Sequence, residues 1–396
     1  MSPSGTISLA QQVSEALVRR NDIAAGFFAR EASRLAEASH EMSERFQRAG
    51  RLLAFGRGAY ATDAQHVSVE FVHPVIVGKR ALPALDISAG FGNAVEALVG
   101  ESDIVMGFGP PDGDVEVAAA LANAKRRGAM TFALPGCDGS YAVEAASDDP
   151  FVHQEVTEVL YHVLWETVHV FFEHTPIAEG AGHAGFLYPF LGGNGGDRAA
   201  LTRDVAGSII AKVADDGRLR VSVAERSAET IAVAVQAMAA RIAAGGTLLI
   251  LGNGGSATDA NDFAHDCIAP PGAYRRIPAI SLSTEPAIIT AIANDVGSDV
   301  IFLRQLIAHA RPGDVVVAFS TSGGSRNVIA ALEEARRRSL LVVAILGYDG
   351  GEIRRRGLAD HCVVVESDYI PRIQEIQASI YHVMRDMLGQ LGVGRD

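Results

Sequence analysis

The residues best placed to do chemistry lie in a loop rich in hydroxyl groups and glycine. Ser320–Val328 reads STSGGSRNV and stands between the apolar run DVVVAF and the helical stretch VIAALEEARRR. A helix N-terminus offers unpaired amides and the positive end of its dipole, so a phosphomonoester can bind there without a lysine. The same composition also makes an ordinary capped turn, and the loop alone leaves both interpretations open. The added donors would be Ser320, Thr321, Ser322 and Ser325.

A second glycine turn favours the phosphate interpretation. Leu251–Ala260 reads LGNGGSATDA and places Asn253 and Ser256 where a ligand can approach the backbone closely. The turn lacks the P-loop lysine and the GxGxxG spacing, so it is a weak signal alone. Two such loops at the carboxyl ends of adjacent parallel strands form the usual ligand crevice of an open α/β sheet. Together they predict a phosphate-binding site.

The elements that must position these loops occur twice. RLLAFGRGAYATDAQHVSVEF from Arg51 aligns without gaps with TLLILGNGGSATDANDFAHDC from Thr247, and three further blocks follow in the same order. The last pairs HQEVTEVLYHV from His153 with IQEIQASIYHV from Ile373. A self-similarity of this kind indicates an internal duplication.

The apolar runs predict the fold class. TLLILG, IPAISLS, DVVVAFS, LLVVAILG and HCVVVES have strand length and are almost continuously hydrophobic, which is typical of a parallel sheet buried on both faces. We therefore expect an α/β protein of two tandem three-layer α/β/α domains with flavodoxin-like sheets. The first copy is shorter, since it lacks the region matching 285–302 and is reduced where the second copy has the strand at 362–366. The expected domains are 1–174 and 198–396, with a glycine-rich connector at 175–197.

Composition narrows the class of partner and the compartment. The chain has 396 residues, with 47 Asp and Glu against 34 Lys and Arg, and its net charge of −13 argues against binding nucleic acid or anionic lipid. Three widely spaced cysteines form neither a disulfide framework nor a CxxC metal knuckle. No signal peptide or apolar stretch of 18 residues is evident. We expect a cytoplasmic protein without a membrane segment.

The motifs carry a resemblance to a known family. GNGGSATDA, NDVGSDVIF, STSGGSRNVIAAL and RIQEIQASIYHV resemble successive signatures of the sugar isomerase (SIS) domain, in its sedoheptulose 7-phosphate isomerase (phosphoheptose isomerase) branch. The resemblance covers about 198–391 and, through the repeat, more weakly about 8–174. It implies an aldose–ketose phosphosugar isomerase, a metal that is often zinc, and a tetramer with active sites between subunits. The implied sugar-phosphate contacts are Asn253, Ser256, Ser320, Thr321, Ser322 and Ser325.

The resemblance also implies an acid–base and metal constellation. Its His, Glu, Gln and His positions read His66, Glu70, Gln154 and His162 in the first copy, and Asp262, Asp266, Gln374 and His382 in the second. The implied metal ligands are His66, Glu70, Gln154, His162 and His382. The implied acid–base groups are His162 or His382, with Glu70 as base or ligand and Gln374 at the substrate. The two aspartates offer harder oxygens, so zinc binding by the second copy stays open.

The losses of the two copies are complementary. Where the second copy has its serine loop, the first has Pro110 and Pro111, which lack amide donors, and Asp112 and Asp114, which repel phosphate. This favours an isomerase with composite sites, in which Gln154 meets His382 and Gln374 meets His162. A sensor or scaffold that binds a phosphosugar without turnover is the alternative, and 6-phospho-3-hexuloisomerase is a third possibility. Two tandem chains are expected to form a homodimer with four SIS domains.

Overall fold

The chain forms two compact units. A computed structural model describes residues 7–75, 78–174 and 198–395. The first unit is Asp22–Asp215, and the second unit combines residues up to Asn21 with Asp216–Asp396. The predicted connector at 175–197 lies outside the described residues.

The first unit contains a five-stranded parallel sheet in the order β2-β1-β3-β4-β5. Its strands are β1 (Leu52–Gly56), β2 (Ala84–Asp86), β3 (Ile104–Phe108), β4 (Met130–Leu134) and β5 (Tyr141–Ala142). Its helices are α1 (Leu9–Gln47) from Asp22 onward, α2 (Tyr60–Val72), α3 (Phe91–Leu98), α4 (Val115–Arg126) and α5 (Pro150–His174). Alternate β1 residues face opposite sides: Leu52 lies in a core with α2 and α5, and Leu53 in a core with α3 and α4. The sheet is therefore the middle of three layers.

The second unit repeats this arrangement. Its parallel sheet has the order β10-β9-β8-β6-β7, which is the first order read in the opposite direction. The strands are β6 (Leu248–Leu251), β7 (Ala279–Ser281), β8 (Val315–Ser320), β9 (Leu341–Gly347) and β10 (His361–Val365). The helices are α6 (Arg198–Ala243) from Asp216 onward, α7 (Gly255–Ile268), α8 (Pro286–Asp295), α9 (Ile301–His309), α10 (Arg326–Arg337), α11 (Gly351–Arg355) and α12 (Ile370–Gln390). The expected flavodoxin-like order is confirmed in both units.

The first unit is shorter, as the sequence predicts. Between β2 and β3 it has the single helix α3, whereas between β7 and β8 the second unit has α8, a 3-10 turn at Ser298–Val300 and α9. The fifth strand has two residues in the first unit and five in the second. Both reductions lie at the periphery of the sheet, so the strands that carry the strand-end loops are retained.

The unit boundaries differ from the predicted domains. Val13 and Leu17 of α1 are buried in the core of the second unit, and Val205 and Ile209 of α6 are buried in the core of the first. The helices have 39 and 46 residues, so each is about 60 Å or more in length, which exceeds the span of one small core. The amphipathic pattern predicts the helices, but it does not indicate which core covers each end.

Candidate functional site

In the hydroxyl-rich loop after β8, backbone amides donate hydrogen bonds to serine side chains of the same loop. The amide of Gly323 donates to Ser320 Oγ at 3.1 Å, and the amide of Gly324 donates to Ser322 Oγ at 3.2 Å. Ser320 is buried, whereas Ser322 is exposed. A Cβ at Gly323 would lie 2.2 Å from the carbonyl oxygen of Gly350, so only glycine fits the contact between this loop and the turn before α11. Both hydroxyls accept a bond and keep a hydrogen to donate to a ligand.

Helix α10 begins directly after this loop and has no side-chain cap at its N-terminus. Ser325 is the N-cap residue but its side chain makes no capping hydrogen bond. The amide of Val328 donates to the side-chain oxygen of Asn327 at 2.9 Å. Since Ser325 makes no capping bond to the amide of Asn327, this amide and the positive end of this 12-residue helix can receive an anion.

An amide pair joins the two predicted loops. Asn253 Nδ2 donates to Asn327 Oδ1 at 3.0 Å, and Asn327 Nδ2 donates back to Asn253 Oδ1 at 2.9 Å. Ser256 is buried in the first turn of α7, and a Cβ at Gly252 would lie 2.2 Å from its carbonyl oxygen. The loops after β6 and β8 therefore meet at one edge of the sheet, as predicted. Asn327 was not singled out from the sequence, because its role depends on contact between loops distant in the chain.

In the first unit the corresponding helix is α4, and a carboxylate caps its N-terminal amides. Asp114, which aligns with Ser325, is the N-cap of α4, and its Oδ1 accepts from the amides of Glu116 at 2.8 Å and Val117 at 3.1 Å. Arg57 lies 3.4 Å from the other oxygen of Asp114 and 2.8 Å from Glu116. A carboxylate thus occupies the amides that a phosphate would need. That this loop does not bind phosphate stays a prediction, which the capping bonds favour.

Two helices of the first unit bring together the predicted acid–base residues. His66 and Glu70 lie on α2, and His162 lies on α5; all three side chains are buried. His66 Nε2 is 3.8 Å from Glu70 Oε1, and the rings of His66 and His162 are 5.1 Å apart between centroids. The four-residue spacing places His66 and Glu70 on the same face of α2.

A residue not predicted from the sequence joins this cluster. Glu158 is buried one turn before His162, with Oε1 4.0 Å from His66 Nδ1. His66, Glu158 and His162 each offer a ligand atom, and these atoms lie within 4.8 Å of one another. Gln154 is also buried, and its Nε2 donates to Asp63 Oδ2 at 3.1 Å. The only available signal for Glu158 was its position midway between Gln154 and His162 on one face of α5.

The second unit has a cluster richer in oxygen. His382 Nε2 lies 3.3 Å from Asp262 Oδ2 and 3.4 Å from Asp266 Oδ2. The hydroxyl of Tyr381 donates to Asp262 Oδ2 at 2.7 Å. Burial, and next the negative charge of Asp262, raises the pKa of Asp266 to about 6. Gln374 is buried on the same helix as His382, two turns nearer its start.

Both clusters have donor sets that suit a divalent metal. The first combines two imidazoles with carboxylates, which is a typical zinc environment, and the second combines one imidazole with two carboxylates. The donor separations of 3.3 and 3.4 Å around His382 are about those of two ligands bound tetrahedrally at 2.0–2.1 Å. The residues present therefore fit a metal, and the aspartates of the second unit converge with its histidine.

The fold and the strand-end loops define a class of protein. Comparison with protein families and with solved structures identifies this class. A family model described as the SIS domain matches residues 214–347. The C-terminal domain of glucosamine-fructose-6-phosphate aminotransferase from Francisella tularensis covers 100% of both chains with a TM-score of 0.63 and 8% identity. At that identity the likeness shows the fold alone. The class is that of the SIS-domain proteins.

Curated relatives narrow this class. The phosphoheptose isomerase of Geobacter sulfurreducens is 45% identical over 174 residues, which are 43% of this chain and 91% of the relative. That of Geobacter sp. (strain M21) is 49% identical over 146 residues, which are 37% of this chain and 75% of the relative. The chain belongs to the phosphoheptose isomerase family. Among its described residues, no helix is both long and apolar enough to cross a bilayer.

Proposed function

We propose that the protein is an aldose–ketose isomerase of a sugar phosphate, with sedoheptulose 7-phosphate as the preferred substrate. The observation that carries the proposal is the open N-terminus of α10 beside the linked loops of Asn253 and Asn327. This edge supplies amides and hydroxyls for a phosphate in a chain whose net charge is negative. The identity to relatives named phosphoheptose isomerase supports the choice of a seven-carbon sugar.

The buried clusters supply the groups that the reaction needs. Moving a proton between C1 and C2 of the sugar requires a base that takes it and returns it, and an acid that serves the oxygens. His162 or His382 is proposed as the acid–base group and Glu70 as the base, unless Glu70 holds a metal. Gln374 is proposed to contact the sugar.

A divalent metal, proposed to be zinc, would polarise the sugar carbonyl when bound. The proposed ligands in the first unit are the predicted residues His66, Glu70, Gln154 and His162. In the second unit the proposed ligand is His382, which lies in a separate cluster with Asp262. The buried convergence of His66, Glu70 and His162 supports this assignment, because each type of side chain is a common zinc ligand.

The substrate assignment is tested by measuring isomerisation of five-, six- and seven-carbon ketose phosphates by the full chain. The metal content is measured on the same preparation. Ser322→Ala should weaken binding of the accepted sugar phosphate by about tenfold, because it removes one hydroxyl donor from the anion. Thr290→Ala is the matched control, since its hydroxyl bonds within α8. Unchanged affinity of the Ser322 variant would contradict the proposed loop.

A phosphosugar-binding protein without turnover is the second candidate. The carboxylate of Asp114 on the amides of α4 favours it, because the first unit has lost one of the two anion sites expected of a duplicated enzyme. Tight binding of the sugar phosphate without conversion, by metal-loaded protein, would select this candidate.

The sharing of one active site by the two copies stays a prediction. Glu70 belongs to the first copy and Ser322 to the second. If a site is shared, Glu70→Gln and Ser322→Ala should each abolish turnover of the whole chain. If Glu70→Gln retains the turnover of the unaltered chain, the second copy acts alone and the site is not shared.

We also propose that two chains form a homodimer. The apolar helix α5 gives no support, because Phe151–Phe171 is already buried within the single chain. Support comes instead from α8, which reads PAIITAIAND and has no buried residue. Beside it, Val296 is 59% exposed. Apolar surface of this kind is typical of an interface. A monomer by light scattering at micromolar concentration would contradict the proposal.

A further inference from the structure

Glu158 occupies a place in the first unit that neither the duplication nor the family resemblance accounts for. It lies on α5 four residues after Gln154 and four before His162, so the three side chains share one face of the helix. Its side chain is only 4% exposed, in a cluster with two histidines. A carboxylate in such surroundings is stabilised by a cation, since an ionised group is costly to bury alone.

The neighbouring glutamine is engaged elsewhere. Gln154 Nε2 donates to Asp63 Oδ2 at 3.1 Å, and it lies 3.4 Å from Thr62 Oγ1. Both partners are on the first turn of α2, one turn before His66. The amide of Gln154 is thereby oriented by the start of α2, whereas Glu158 lies level with His66, where its Oε1 is 4.0 Å from Nδ1.

The second copy shows that this carboxylate is specific to the first. The residue aligned with Glu158 is Ala378. The second unit instead has two carboxylates on α7, Asp262 and Asp266, facing His382. Each unit thus assembles three converging donors. The acid without an acidic counterpart in the other copy is Glu158 on α5 in the first unit and Asp262 on α7 in the second.

We propose that Glu158 is a metal ligand of the first unit, with His66 and His162, and that Gln154 is a positioning residue held by Asp63. Two imidazoles and a carboxylate form a common zinc donor set, in which an ionised oxygen replaces a neutral amide. The inference rests on the metal site of the proposed function and changes its ligand set.

The test uses cobalt(II) alone as the probe and the full chain as the protein. Asp262→Asn and Asp266→Asn are introduced first, so that the second cluster does not contribute to the signal. Cobalt affinity and the visible d–d spectrum are then measured for this parent and for Glu158→Ala, Glu158→Gln and Gln154→Ala added to it. Thermal unfolding of each variant without metal reports whether it is folded.

We expect Glu158→Ala to lower cobalt affinity at least about tenfold and to change the d–d spectrum, because it removes a ligand. Gln154→Ala removes no ligand, so it should lower affinity less than Glu158→Ala does and leave the spectrum of the parent unchanged. If Glu158→Ala does not fold, the isosteric Glu158→Gln decides by the same criterion. The inference is overturned if Gln154→Ala abolishes binding while the Glu158 variants bind as the parent does. Failure of the parent to bind cobalt would overturn the metal part of the proposed function as well, so the two failures are distinguishable.

Discussion

Placing a carboxylate at the start of α10 should close the proposed phosphate site. The residue of the first unit that aligns with Ser325 is Asp114, so Ser325→Asp gives the second unit the same N-cap residue. In the first unit, Asp114 Oδ1 lies 2.8 and 3.1 Å from two first-turn amides. The corresponding amides of α10 are those of Asn327 and Val328, and the Val328 amide already donates to Asn327 Oδ1. The new carboxylate would therefore take the Asn327 amide, which we assign to phosphate, and would place a negative charge beside it.

The size of the effect follows from charge as well as occupancy. Two unit charges about 5 Å apart interact by roughly 3 kcal/mol at an effective dielectric constant of about 20, which is roughly a hundredfold or more in Kd. The loop is partly exposed, and salt reduces this value. We therefore expect sugar-phosphate affinity to fall by about tenfold to a hundredfold, while the new cap stabilises the helix by about 0.5–2 kcal/mol.

Calorimetric titration of the full chain with sedoheptulose 7-phosphate measures the loss of affinity. Thermal unfolding measures the stability that the new cap adds. Ser325→Asn is the matched control, because it caps the helix without a charge and should lose much less affinity than the aspartate. Repeating both titrations at high salt should narrow the gap between the variants. Equal affinity of the aspartate and asparagine variants would refute the argument that an anion binds at this helix.

Three further predictions concern stability. Leu17→Ala should destabilise the second unit by about 2–5 kcal/mol, as measured by denaturant unfolding, because the leucine side chain is fully buried. The neighbouring Val18 is 40% exposed, so Val18→Ala should cost less than about 1 kcal/mol. Gly323→Ala should disrupt its loop and weaken sugar-phosphate binding, because the new Cβ would lie 2.2 Å from a carbonyl oxygen. Gly357 also has a positive φ, of +61°, but no atom lies near its Cβ position, so Gly357→Ala should lower the free energy of unfolding by only about 1–2 kcal/mol. Burial lowers the pKa of His153 to about 4, so stability should fall by about 3 kcal/mol as pH drops from about 6.5 to 4, and His153→Gln should remove this slope.

The strands were predictable because both faces of each sheet are covered. That burial makes the strands almost continuous apolar runs, which can be recognised without tertiary information. The strand-end loops followed from the same pattern, whereas the expectation that Asp114 opposes phosphate stays a prediction. Its capping bonds to α4 were not predicted, because they depend on the backbone conformation of the loop.

The missed parts of the candidate site depend on contacts between distant segments. Glu158 is a lone acid on the face of α5 that carries Gln154 and His162, and its place beside His66 depends on the packing of α5 against α2. Asn327 pairs with Asn253, 74 positions earlier in the chain. The division of α1 was missed for a related reason, since periodicity identifies an apolar face but not the core that covers it.

The division of α1 between two cores has a consequence for synthesis on the ribosome. Val13 and Leu17 belong to a core whose other members begin at Val223 and continue to Leu388. At about 5–20 residues per second, the ribosome needs roughly ten seconds or more to add the first of these partners. During that time the leading end of α1 shows its apolar face to solvent and to chaperones. The leading end of α1 is therefore made long before the residues that cover it, and the core of the second unit is completed only after α12 has been synthesised.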